Sequence, residues 1–228
     1  MAPRHQKVKR RIEELITGFQ HYLHFFETNN PFNQYGQMDF HVETIRLLKK
    51  LGSTANALRS QEYTEALYRT LEAWGMNSRG AKLKPLPEFR AVLAVKVDEI
   101  SDLESLSLQD CQEPSILAER LWQVISNLEV AENSSKLVAG TKILHHLLPN
   151  LVPPIDRAYT RVFFQWYGQM FQYQQSQFLD ETIPYLVTIA QSVALDKYVT
   201  GRDWRTSPTK LIDNAIVGYC KENGLRLA

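Results

Sequence analysis

The residues best suited to chemistry sit together in the stretch KLVAGTKILHHLLP, residues 136–149, an apolar helical pattern into which Lys142, Gly140, His145 and His146 are set. An ammonium among apolar neighbours is costly to bury unless it is paired. A lysine whose pKa is lowered, or that has a base beside it, has a free lone pair and is a nucleophile for sugar or carbonyl carbon. The prolines at 149, 153 and 154 force a turn, and the chain then delivers Asp156 and Arg157 into the first turn of a following helix, where the helix dipole favours an ionised carboxylate. A helix, a proline turn and a second helix therefore bring Lys142 and Asp156 together. One account of that meeting is an amine and a carboxylate at the wall of an open cleft. The plainer account is an ion pair that pins one helix to the next.

The pattern Gly140-Thr141-Lys142, followed by Ile155-Asp156-Arg157-Ala158-Tyr159-Thr160-Arg161, resembles the active-site segment of the helix-hairpin-helix DNA glycosylase superfamily. In that family a Gly-x-Lys precedes an apolar helix and a Val-Asp-Thr-His-Val-x-Arg follows. The resemblance implies an all-α fold acting on DNA, with Lys142 attacking the sugar carbon to displace a damaged base and Asp156 promoting the reaction. It also implies binding roles for Gly140, His145, Arg157 and Arg161. The family's Leu-Pro-Gly hairpin reads Lys136-Leu137-Val138 here, and the match spans Lys136 to Phe164, about 30 of 228 residues.

A second group lies at Trp74-Gly75-Met76-Asn77-Ser78-Arg79-Gly80. Trp74, Asn77 and Arg79 on a glycine-flanked turn combine a stacking ring, an amide and a guanidinium, the groups that hold a base or a phosphate; a helix end with an ordinary loop uses the same residues. Adjacent His145 and His146 point about 100° apart on a helix and do not share a metal comfortably, and no Cys or His set has metal-ligand spacing. No metal and no cofactor is expected. Lys210 and Asp213 pair at i,i+3 on the last helix, which matters only if they are buried.

Stepping outward, three- and four-residue apolar spacing predicts helices over 8–26, 41–51, 63–74, 88–100, 116–128, 135–148, 155–169, 177–198 and from Pro208 to the Asn223-Gly224 stop. Period-two alternation is not sustained anywhere, and no repeat or linker divides the chain. One all-α domain over residues 1–228 is expected.

The apolar fraction of 44% and charged fraction of 22% are those of a folded chain rather than a disordered one. Two distant cysteines, Cys111 and Cys220, argue against a disulfide framework. The basic first residues lack a secretory apolar stretch, and no uninterrupted run of about 18 apolar residues is present, so a cytoplasmic protein without membrane contact is expected. The net charge of +1 gives no global pull on phosphate, but its distribution is uneven, about +5 over residues 1–90, about −7 over 94–132 and about +3 beyond. Two functions fit these features. One is DNA binding or glycosylase-like chemistry by Lys142 and Asp156. The other is a non-enzymatic helical module that binds a protein partner or a second copy of itself, which requires Tyr167, Tyr173 or Trp204 in an exposed apolar patch.

Overall fold

Some helices begin where a serine accepts a first-turn amide, and one stops at a left-handed glycine. In the computed structural model, which describes residues 4–32, 36–77, 81–132 and 136–225 and of Gln169 the backbone only, Ser53, Ser60 and Ser207 each accept the amide three residues on and start a helix. Gly52, at φ 76°, ends another. The chain runs α1 (Arg4–Thr17), α2 (Phe19–Thr28), α3 (Gln37–Leu51), α4 (Thr54–Arg59), α5 (Gln61–Ala73), α6 (Leu86–Ala94), α7 (Val97–Ser101), α8 (Pro114–Asn127), α9 (Lys136–Leu147), α10 (Thr160–Phe163), α11 (Gly168–Tyr173), α12 (Gln175–Ser192) and α13 (Pro208–Glu222), with a 3₁₀ turn at Leu195–Lys197. The fold is all-α. Among the described residues the β-geometry is a single bridge, Leu83 to Ala131.

The last helix is the axis of the molecule. Every residue from Thr209 to Cys220 is buried, so α13 has no solvent face and must be surrounded. Helix α2 covers one side, so closely that a Cβ on Gly218 would lie 2.0 Å from the Tyr22 carbonyl oxygen. Helices α1, α10 and α12 pack on α13 as well, α8 lies between α12 and α9, and α3 joins α5 to α9. One apolar cluster runs from Val8 through Leu67, Leu121, Ile143 and Leu186 to Cys220.

Five elements differ from the periodicity expectation. The helix expected over 8–26 divides at Gly18, where a Cβ would meet the Tyr22 ring at 2.8 Å; its inward stripe holds, with Ile12, Leu15, Phe19, Leu23 and Phe26 all buried. The helix expected over 88–100 divides at Val95-Lys96, and α4 was not anticipated. The segment 155–169 is mostly turns around the four-residue α10, because Asp156 turns its side chain back onto the Tyr159 amide at 2.6 Å and Gln165 adopts φ 56°. Helix α12 continues through Pro184 and stops at Ser192.

Candidate functional site

Helices α3, α9 and α13 meet where their polar residues face inward. His41 of α3, His145 and His146 of α9, and Lys210, Asp213 and Asn214 of α13 are all buried. The histidines form a directed chain. A carbonyl oxygen can only accept, so His146 Nδ1 donates to the Lys142 carbonyl at 2.7 Å. Its Nε2 then accepts from His41 Nδ1 at 3.0 Å, and His41 Nε2 accepts from the Thr206 hydroxyl at 2.7 Å. Each ring is neutral in this arrangement. Burial holds His41 and His145 well below the ordinary imidazole range, with the charge of His146 adding to it. Burial likewise lowers His146 to about 4, against the opposing pull of the Lys142 carbonyl.

The ammonium of Lys210 sits inside a box of rings, 4.8 Å from Trp204, 5.4 Å from Trp74, 5.7 Å from Phe32 and 5.9 Å from Phe26. It donates to Asp213 Oδ2 at 2.5 Å. At 2% and 5% exposure, this pair is the burial case that the i,i+3 spacing left open. Ring faces and a carboxylate together offset part of the ammonium's desolvation. Asp213 nevertheless has its carboxyl pKa raised, burial being the main cause; Lys210 opposes the rise, Asp156 adds to it and Lys142 opposes it. Two acceptors in the cluster, His145 Nε2 and Asn214 Oδ1, are buried without a hydrogen-bond partner among the described residues.

Lys142 lies at the edge of this box, half-buried. Its Nζ donates to the Trp74 carbonyl at 2.9 Å and is 5.9 Å from the Trp74 ring, so the Trp74 turn does face Lys142. Trp74 itself packs on His41, His145, His146 and Trp204. Asp156, also half-buried, spends one oxygen on the Tyr159 amide. Among the described residues, the ion pairs within 4 Å do not include Lys142 with Asp156; the two meet instead through the field at Asp213.

The remaining sequence candidates scatter. Gly140 faces α8, where a Cβ would lie 2.9 Å from Ile125 Cγ2, so it serves helix packing. Asn77, at φ 77°, clasps its own loop by accepting from the Leu83 amide at 2.6 Å and donating to Glu72 at 3.1 Å. Arg79 lies outside the described residues. Arg157 is exposed, and Arg161 covers the Phe171 ring at 5.7 Å. His145 donates through Nδ1 to the Val152 carbonyl at 3.0 Å. Tyr167 and Tyr173 are exposed, whereas Trp204 is buried.

Comparison with other proteins adds no neighbour. No family model, no curated protein and no solved structure matches the chain. Three buried imidazoles lie together, yet among the described residues no group of three or more His, Cys, Asp or Glu is arranged to hold a metal ion, since the Nε2 of His146 and both nitrogens of His41 are taken up in the hydrogen-bond chain. Among the described residues no helix is long and apolar enough to cross a membrane.

His41 is the site residue that motif reading passed over; Lys210 and Asp213 entered it only as an i,i+3 pair and Trp204 only as a surface-patch candidate. For the residues of α13 one signal of burial was present. The terminal helix is apolar on all faces, with Leu211, Ile212, Ala215, Ile216 and Tyr219 spread round it, and a helix of that kind buries whatever polar residues it carries.

Proposed function

We propose that the chain acts on nucleic acid by amine chemistry at Lys142, in the manner implied by the helix-hairpin-helix glycosylase resemblance. The observation that supports the reading is the place of Lys142, half-buried at the edge of the aromatic box with its Nζ on the Trp74 carbonyl at 2.9 Å, while half-buried Asp156 from the next element acts on the same buried Asp213 carboxyl. The Trp74 carbonyl takes one N–H of Lys142 and so fixes where the amine points.

In such a reaction the unprotonated amine attacks the sugar C1′. The C–N bond to the base breaks, and its electron pair leaves with the base, which takes up a proton. Loss of a proton from nitrogen and opening of the sugar ring give an imine that water hydrolyses. The aromatic box beyond Trp74 supplies low-dielectric surroundings, in which a neighbouring carboxylate stabilises developing positive charge more strongly than in water.

Borohydride reduces an imine to a stable amine and so captures the intermediate. With oligonucleotides carrying abasic or damaged sites, the expected result is a covalent adduct whose peptide map places the link on Lys142. An adduct that forms equally in Lys142→Ala, or none across a panel of lesions, refutes the assignment. Circular dichroism of the variant checks that the fold is intact.

A further inference from the structure

Tyr167, Met170 and Tyr173 are 49%, 49% and 75% exposed. They stand at three-residue spacing on α11 and the residue that caps it, a ridge winding slowly round the helix. Apolar side chains scattered singly over a surface need no explanation, but three on one short element form a patch. The patch begins beside cations. Arg157 precedes Arg161 by four residues. Burial lowers the pKa of Arg161, and the charge of Arg157 adds to that, while Asp156 and Tyr167 act in the opposite sense. Arg161 joins the cations to the patch, its guanidinium lying 5.7 Å from the Phe171 ring of α11. Arg161 Nε is buried with no hydrogen-bond partner among the described residues.

Two neighbouring guanidiniums repel each other and gain from an anion placed over both, and the planar fork of each matches phosphate oxygens. Tyrosine rings beside them offer faces on which unpaired bases stack. We infer that the strip Arg157, Arg161, Tyr167, Met170 and Tyr173 binds single-stranded nucleic acid, with phosphates on the arginines and unstacked bases on the tyrosines. The inference rests on the nucleic-acid reading of Lys142 and names its substrate class. A duplex keeps its base faces inside the stack and offers the tyrosines much less. The paired cations favour a polyanion over an apolar protein surface.

The test is fluorescence anisotropy of the full chain with a labelled oligothymidylate of about a dozen nucleotides, and with a duplex of equal length, across a salt series. The expected result is tighter binding to the single strand, a loss of about tenfold or more in the Tyr167→Ala/Tyr173→Ala variant, and a salt slope reduced by about 0.7 in Arg157→Ala. Both tyrosines are exposed, so unchanged thermal melts are expected to accompany the loss. Equal affinity in the tyrosine variant, or no single-strand binding by the wild type, overturns the inference. A gel-filtration shift from dimer to monomer in that variant, with oligonucleotide affinity unchanged, also overturns it by giving the strip to a second copy of the chain. A Lys142 adduct that persists while the tyrosine variant binds normally refutes the strip alone. Tyrosine-dependent binding without any adduct supports the strip and refutes the amine chemistry.

Discussion

At the scale of single residues, the histidine chain sets a definite pH dependence. His41, His145 and His146 are buried and neutral, and their folded pKa values lie below the unfolded value of about 6.5. A depressed imidazole leaves stability intact above the unfolded pKa; the stability is lost as the pH falls through the window below it, because the unfolded chain takes up the proton first. For His146 that window runs from about 6.5 down to about 4. By pH 5 His146 costs about 2 kcal/mol, and His41 and His145 act in the same direction. Asp213 works in the opposite sense, since its carboxyl is raised and the folded state takes up its proton more readily than the unfolded chain does. It is one group against three. Urea midpoints measured from about pH 7.5 to about pH 4.5 are therefore expected to fall steeply below pH 6.5, and a flat profile contradicts neutral burial of the imidazoles. This scale was the least legible in the sequence. Lys142, Asp156 and Trp74 stand out by residue type, but His41 and Trp204 come to the site from distant segments, and the enclosure of Lys210 and Asp213 is marked only by the all-round apolar character of α13.

Elements were more legible, because apolar spacing records which face is buried whatever covers it. The positions of α3, α5, α8, α9 and α13 follow the stripe and the caps to within a few residues. The expectation failed where a side chain offered the backbone another partner, as Asp156 does for Tyr159. It also failed at Gly18, where a poor helix former meets a ring that fills the space of its absent side chain. Gly218 carries the opposite lesson. It sits in the middle of α13, where propensity alone would favour alanine by about 1 kcal/mol. The backbone of α2 passes so close that a methyl group would lie 2.0 Å from the Tyr22 carbonyl oxygen and 2.9 Å from its carbon. Backbone cannot rotate aside, so Gly218→Ala must push two helices apart across the most enclosed part of the core. A loss of about 3 kcal/mol or more is expected, read as a fall in the denaturant midpoint. A variant as stable as the wild type would mean that α2 and α13 slide without cost.

For the whole molecule, the two ends of the chain hold each other. Helix α1 looks from its sequence like a basic arm for nucleic acid, yet two of its cations, Arg4 and Arg11, are turned inward while Lys9 and Arg10 are exposed. Arg11 donates to the carbonyls of Val162 and Phe163 at 2.8 Å and 2.7 Å, and Arg4 is bonded to Glu181 and lies 4.6 Å over the Trp166 ring. Glu14 accepts from the Tyr219 hydroxyl of α13. Between these contacts Val8, Ile12 and Leu15 are buried against the shared core. Three such side chains contribute about 1.5–3 kcal/mol each, or roughly 5–9 kcal/mol together, which is comparable with the net stability of about 5–15 kcal/mol typical of a folded domain. A chain starting at Gly18 would lose that term, and it would leave Glu181 and two carbonyls of the α10 segment without their arginines. It is expected to show no cooperative thermal transition and to bind a dye that reports exposed apolar surface. A sharp melt within a few degrees of the full chain would make α1 an appendage rather than a wall of the core, and would free its arginines for the nucleic-acid role that their charge suggests.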